Sequence, residues 1–149
     1  MRARLAYVNI LARDIEALSQ FYMDVFGFRE IVGHRSPIYR CLDAGGVELG
    51  FNAPLASELL NIPARRPERG DGLATYITFE MESEAALEAG LRTSQALGAR
   101  LLKAPYDTYY NARQCVLADP EGNAFRLNFR RGPRTPASEV DAPPWMERG

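Results

Sequence analysis

Asp119-Pro120-Glu121-Gly122-Asn123, followed by Ala124-Phe125-Arg126-Leu127-Asn128-Phe129, is a tight turn feeding a strictly alternating strand. The side-chain period of a strand puts Phe125, Leu127 and Phe129 on one face and Arg126 and Asn128 on the other. An arginine and an amide are costly to bury in a plain apolar core. The second face of this strand is therefore predicted to line a polar cavity.

Working outward, strands are predicted near Arg100 to Ala104 and Arg113 to Ala118. Before them, Ser83 offers an N-cap to a helix from Glu84 to Leu97, with Leu87, Leu91 and Leu97 as its apolar stripe and Gly98 as its C-cap. A strand from Leu73 to Met81 precedes that helix. The same order occurs earlier in the chain. Leu5 to Leu11 reads as a strand, and Asp14 caps a helix whose apolar positions are Ile15, Leu18, Phe21, Tyr22, Val25 and Phe26. Gly27 ends it as a left-handed C-cap. Strand-like runs follow at Phe28 to His34, Ile38 to Asp43 and Gly46 to Asn52. Tyr7 lies seven residues before Asp14, and Tyr76 lies seven before Ser83. This is an internal duplication of βαβββ units.

The units span about 5–52 and 73–129 and make one domain over residues 1–131, joined by a linker, 53–72, that carries one short helical turn. Residues 132–149 are a proline-rich tail that cannot form a core of its own. The chain has 149 residues and a net charge of -1, which gives no electrostatic reason to expect nucleic acid or an anionic membrane as partner. No apolar run approaches the roughly 20 residues of a membrane span, and Met1-Arg2-Ala3-Arg4 leads straight into a strand; a cytoplasmic location is expected. Cys41 and Cys115 lack CxxC spacing and sit in apolar contexts, so both are read as buried reduced thiols.

With its Asp14 cap, Phe21-Tyr22, the Phe26-Gly27-Phe28 helix end and the Asp119 to Asn123 turn, the chain resembles the vicinal oxygen chelate superfamily over about Leu5 to Phe129. That superfamily includes glyoxalase I, bleomycin-resistance proteins, extradiol dioxygenases and methylmalonyl-CoA epimerase. The resemblance implies an α+β fold in which two βαβββ units form a curved mixed sheet with helices on the outer face, and a homodimer. It implies nothing definite about activity, because one fold hosts many functions. Metal-dependent members take their ligands from the first and last strands of each unit. Carried over by motif, those positions are Tyr7, Glu48, Tyr76 and Arg126. Only Glu48 has the usual ligand chemistry, since neutral tyrosines bind divalent ions poorly and an arginine repels them. His34, the single histidine, is placed on a different strand and read as a strand-end surface residue. The expectation is a site without metal or cofactor.

The residue pattern agrees with the carry-over. Tyr7 and Asn9 share a strand face, Tyr76 and Thr78 share another, and Glu48 lies between Gly46 and Gly50 on its own face. Together with Arg126 and Asn128 these residues form the candidate ligand site. Tyr106, Tyr109, Tyr110 and Arg113 cluster near the final turn, where Tyr109, Tyr110 and Arg113 are candidates to clamp a flat or anionic ligand. Two functions follow. One is a protein similar to the bleomycin-resistance type that binds a small organic molecule in a metal-free concave pocket. The other is a lyase, isomerase or dioxygenase-type enzyme, with an atypical metal set or with Glu48 as general base and a tyrosine as acid.

Overall fold

The structure, a computed structural model, describes residues 3–61, 75–108 and 110–133. Expectations that fall on Tyr109, on the linker beyond residue 61 and on the tail beyond residue 133 lie outside the described residues. Two units, Met1–Gly72 and Leu73–Gly149, each carry one four-stranded mixed sheet.

In the first unit, β1 (Tyr7–Leu11) leads to α1 (Ile15–Phe26). The Asp14 carboxylate accepts the Ala17 N–H at 2.9 Å, satisfying one of the free donors of the first turn. Gly27 closes the helix with φ 69°, a left-handed conformation that suits glycine, and its N–H donates to the Met23 carbonyl. Ile15, Leu18, Phe21 and Tyr22 are the buried face. Tyr22 lies 5.4 Å from the Phe51 ring and edge-on to Phe21, which fixes the helix against the sheet. After α1 come β2 (Arg29–Glu30), a 3-10 turn (Val32–His34), β3 (Tyr39–Asp43), β4 (Glu48–Asn52) and α2 (Leu55–Leu59), the helical turn expected in the linker. The sheet order is β1-β4-β3-β2, with β1 parallel to β4 and the other pairs antiparallel. Leu42, Leu49 and Phe51 are buried on the helix side, where Arg40 ties β3 to α1 through Glu16 at 2.6 Å.

The run from Phe28 to His34 is not one strand. Only Arg29 and Glu30 pair with β3, after which the chain bends, with the His34 N–H on the Ile31 carbonyl and the Arg35 N–H on the Val32 carbonyl. Gly33 weakens the extended state, and Arg35 reaches back to the Glu30 carboxylate with two guanidinium N–H groups.

The second unit repeats the plan with β5 (Ile77–Glu80), α3 (Glu84–Ala96), β6 (Arg100–Asp107), β7 (Ala112–Ala118) and β8 (Ala124–Arg130). Its order is β5-β8-β7-β6, and β5 is parallel to β8. Ser83 caps α3 by accepting the Ala86 N–H at 3.0 Å. Leu87 and Leu91 are buried beneath it, while Leu97, expected in the same stripe, is 40% exposed because the helix has already ended at Ala96. The edge strand β6 runs three residues past its expected end, with register shifts either side of Lys103, and accommodates Pro105 where no inner ladder needs its N–H. Before β8, the buried Asp119 carboxylate accepts the N–H groups of Glu121 and Asn123 and the Asn123 side-chain amide. Phe125, Leu127, Leu117 and Cys115 fill the core between sheet and α3. No helix among the described residues is long and apolar enough to cross a membrane.

Candidate functional site

On the first sheet, the face away from α1 is polar. Alternation puts Tyr7 and Asn9 of β1, Tyr39 and Cys41 of β3, and Glu48, Gly50 and Asn52 of β4 on that side. Asn52 Nδ2 donates to Asn9 Oδ1 at 3.1 Å across the β1-β4 pair. Gly50 is needed here for close approach: a Cβ at this position would overlap Asn9 Oδ1 and lie 2.7 Å from the Tyr39 hydroxyl. An open cleft of about 760 Å³ stands over this face, walled by Tyr7, Asn9, Tyr39, Asn52 and His34, with Leu11 and Leu60 as apolar wall. Glu48 borders a smaller recess of about 210 Å³, shared with Arg4, Tyr7 and Ile31.

The partners of Glu48 come from β3 and from the 3-10 turn. Cys41 Sγ donates to its Oε2 at 3.4 Å, and His34 Nδ1 lies 3.6 Å from the same oxygen. His34, expected at the end of a strand, instead ends the 3-10 turn, which swings it over β4 to this carboxylate. Cys41 is fully buried, yet its surroundings are polar, not apolar as its neighbours in sequence implied. Burial is the main cause that raises its thiol above the ordinary range, opposed by a hydrogen bond from Tyr39 and reinforced by Glu48. Burial likewise raises the Tyr39 hydroxyl, with the hydrogen bond to Cys41 next and the Glu48 charge after it. Both groups keep their protons at neutral pH. Tyr39 was missed at the sequence level, although its two-residue spacing from Cys41 on a strand beside β4 was the available signal.

On the second sheet, β5, β7 and β8 bring together Thr78, Glu80, Gln114, Arg126 and Asn128 through the register pairs Thr78–Arg126, Glu80–Asn128 and Gln114–Asn128. Arg126 donates from Nε to Thr78 Oγ1 at 3.1 Å, and its guanidinium carbon stands 5.2 Å from the centre of the Tyr76 ring. Its Nη1 is 3.5 Å from the Tyr110 hydroxyl, which donates to Oε1 of the buried Gln114 at 3.0 Å. Gln114 Nε2 reaches the Tyr106 hydroxyl. Asn128 donates to Glu80 Oε2 at 2.6 Å, while its own Oδ1 is buried without a partner. Arg113 does not join this group. It precedes Gln114 on β7, so it points the other way, to Glu88 on α3 and to Asp107. Tyr7 and Tyr76 are 48% and 58% exposed, and each stands on the polar side of its own unit.

The four positions implied by resemblance do not fit a divalent ion. Arg126 is a fixed positive charge held by Thr78 and Tyr110, and Tyr7 and Tyr76 are phenols.

A family model for the Glyoxalase/Bleomycin resistance protein/Dioxygenase superfamily matches residues 4–127. Among solved structures, a glyoxalase/bleomycin resistance protein/dioxygenase family enzyme from Burkholderia phytofirmans PsJN is 45% identical, with a TM-score of 0.77 over 85% of this chain and 98% of that one. A glyoxalase-related enzyme from Fulvimarina pelagi is 17% identical, with a TM-score of 0.74 over 93% of this chain and 97% of that one. A glyoxalase/bleomycin resistance protein/dioxygenase from Nocardioides is 22% identical, with a TM-score of 0.71 over 91% and 89%. At those identities the last two show the fold alone. No curated protein matches the chain.

Proposed function

This chain belongs to the glyoxalase/bleomycin resistance protein/dioxygenase superfamily, and from that premise we propose that it binds a small, flat organic molecule in the cleft of its first unit. The observation that carries the reading is the composition of the cleft wall. Two phenol rings, Tyr7 and Tyr39, face an amide pair and two leucines around a volume of about 760 Å³, within the range that takes a drug-sized ligand. The Asn52 to Asn9 hydrogen bond leaves the Asn9 amide nitrogen as a donor and the Asn52 amide oxygen as an acceptor for that ligand. Stacking on the rings supplies affinity, and the amides supply orientation.

A thermal-shift screen of aromatic and acidic compounds tests the proposal, because a ligand that binds only the native state stabilises it by about 2.7 kcal/mol at 100 times its Kd. Tyr7→Ala and Asn9→Ala should each weaken a hit by about tenfold, roughly 1.4 kcal/mol. Unchanged affinity in both variants would place the ligand elsewhere.

A second reading is a lyase, isomerase or oxygenase, favoured by a carboxylate, Glu48, that touches both an imidazole and a thiol. Turnover of the bound compound, lost in Glu48→Gln while binding persists, separates it from simple sequestration.

A further inference from the structure

We propose that His34, Cys41 and Glu48 form a binding site for one zinc-class divalent transition-metal ion, contained wholly within the first unit. The three donor atoms lie within 4.8 Å of one another, with the carboxylate oxygen 3.6 Å from Nδ1 and 3.4 Å from Sγ. A tetrahedral zinc ion with bonds of about 2.3 Å to sulfur and about 2.0–2.1 Å to nitrogen and oxygen requires edges of about 3.3–3.6 Å between its ligands. Two edges of the triangle already have that length, and the third, between His34 and Cys41, lies within 4.8 Å.

The chain holds the donors in place by independent means. Cys41 and Glu48 project from neighbouring antiparallel strands, β3 and β4, onto one face of the sheet. His34 ends a 3-10 turn fixed by its own N–H on the Ile31 carbonyl and by the Arg35 pair with Glu30.

On binding, the Cys41 thiol gives its proton to solvent, His34 coordinates as the neutral imidazole and Glu48 as the carboxylate. Two negative ligands then neutralise the doubly charged ion beside a buried sulfur. A thiolate, imidazole and carboxylate set selects zinc, cobalt, nickel or iron over magnesium and calcium. The half-exposed His34 side leaves the fourth position to water. Of the four positions implied by resemblance, this set uses only Glu48, and it does not depend on the ligand proposed for the cleft.

The test is titration of the full chain, stripped with chelator, with cobalt(II). Expected are one bound equivalent, a near-ultraviolet thiolate-to-cobalt charge-transfer band, release of one proton, and bleaching of the band by zinc but not by magnesium. Cys41→Ser should abolish the band, and His34→Gln and Glu48→Gln should each weaken cobalt binding by at least about tenfold, with circular dichroism confirming that the variants fold. A wild-type chain without the band at saturating cobalt overturns the proposal. So does a band that survives in Cys41→Ser, or cobalt affinity unchanged in both His34→Gln and Glu48→Gln.

Discussion

Replacing Gly50 with alanine sets two effects of opposite sign against each other. Gly50 is buried within β4 and is not among the glycines with positive φ, so alanine can adopt its backbone without strain. Restricting the unfolded chain would then stabilise the protein by about 0.4–1 kcal/mol. Against this, the new methyl group overlaps Asn9 Oδ1 and stands 2.7 Å from the hydroxyl and 2.9 Å from Cε2 of Tyr39, well inside the roughly 3.5 Å of ordinary carbon contact. Overpacking of this kind costs about 1–3 kcal/mol. Displacing Asn9 also breaks its bond with Asn52, a further 0.5–1.5 kcal/mol or about that. The cost wins, and Gly50→Ala should lose about 1–3 kcal/mol in urea unfolding followed by circular dichroism. Removing the worst overlap with Asn9→Ala in the same chain should recover at least about 1 kcal/mol as a coupling energy. A Gly50→Ala protein as stable as the parent would show that the close approach over β4 is not real.

Two further outcomes follow from buried groups. Asp119→Ala should cost about 2 kcal/mol in the same assay, because it strands the N–H groups of Glu121 and Asn123 in a part-buried turn; a change below about 0.5 kcal/mol would mean that water replaces the carboxylate at no loss. Burial first, and then the charge of Glu88, pushes the Cys115 thiol from its usual 9.0 up to about 11. The folded state therefore holds a proton that the unfolded state releases, so this contribution is fully present below pH 9 and is lost as pH rises through 11. Stability measured against pH should fall less steeply over that window in Cys115→Ala than in the parent, and equal slopes would contradict the assignment.

Local chemistry made most of the fold legible. Asp14, Gly27, Ser83 and Asp119 each act on backbone within four residues of themselves, so their roles can be read without knowing what packs where. Alternation likewise sorted Tyr7, Asn9, Arg126 and Asn128 from their apolar neighbours. The reading failed where a side chain's fate depended on a distant segment. His34 meets Glu48 only because Gly33 and the Arg35 pair with Glu30 end β2 early and bend the chain back. Arg113 looked like a partner for Tyr110 because they are near in sequence, but its strand phase sends it to Glu88 on α3. Cys41 seemed apolar by its immediate neighbours along the chain, whereas the groups on its own face of the sheet, Glu48 on β4 and Tyr39 two residues back on β3, are polar.

The sheet order has a consequence for biosynthesis. In each unit the first strand lies beside the last, so β1 pairs with β4 and β5 pairs with β8. β1 is therefore made before its partner, with a helix and two more strands of chain between them. The β3-β4 hairpin, turned at Ala44 to Gly46, needs no such wait. Loop-closure entropy favours this local hairpin over the more distant pairing of β1 with β4. A pause that keeps β4 inside the ribosome after β1 has emerged would hold out an unpaired strand bearing Val8 and Ile10, the kind of exposed apolar segment that chaperones guard.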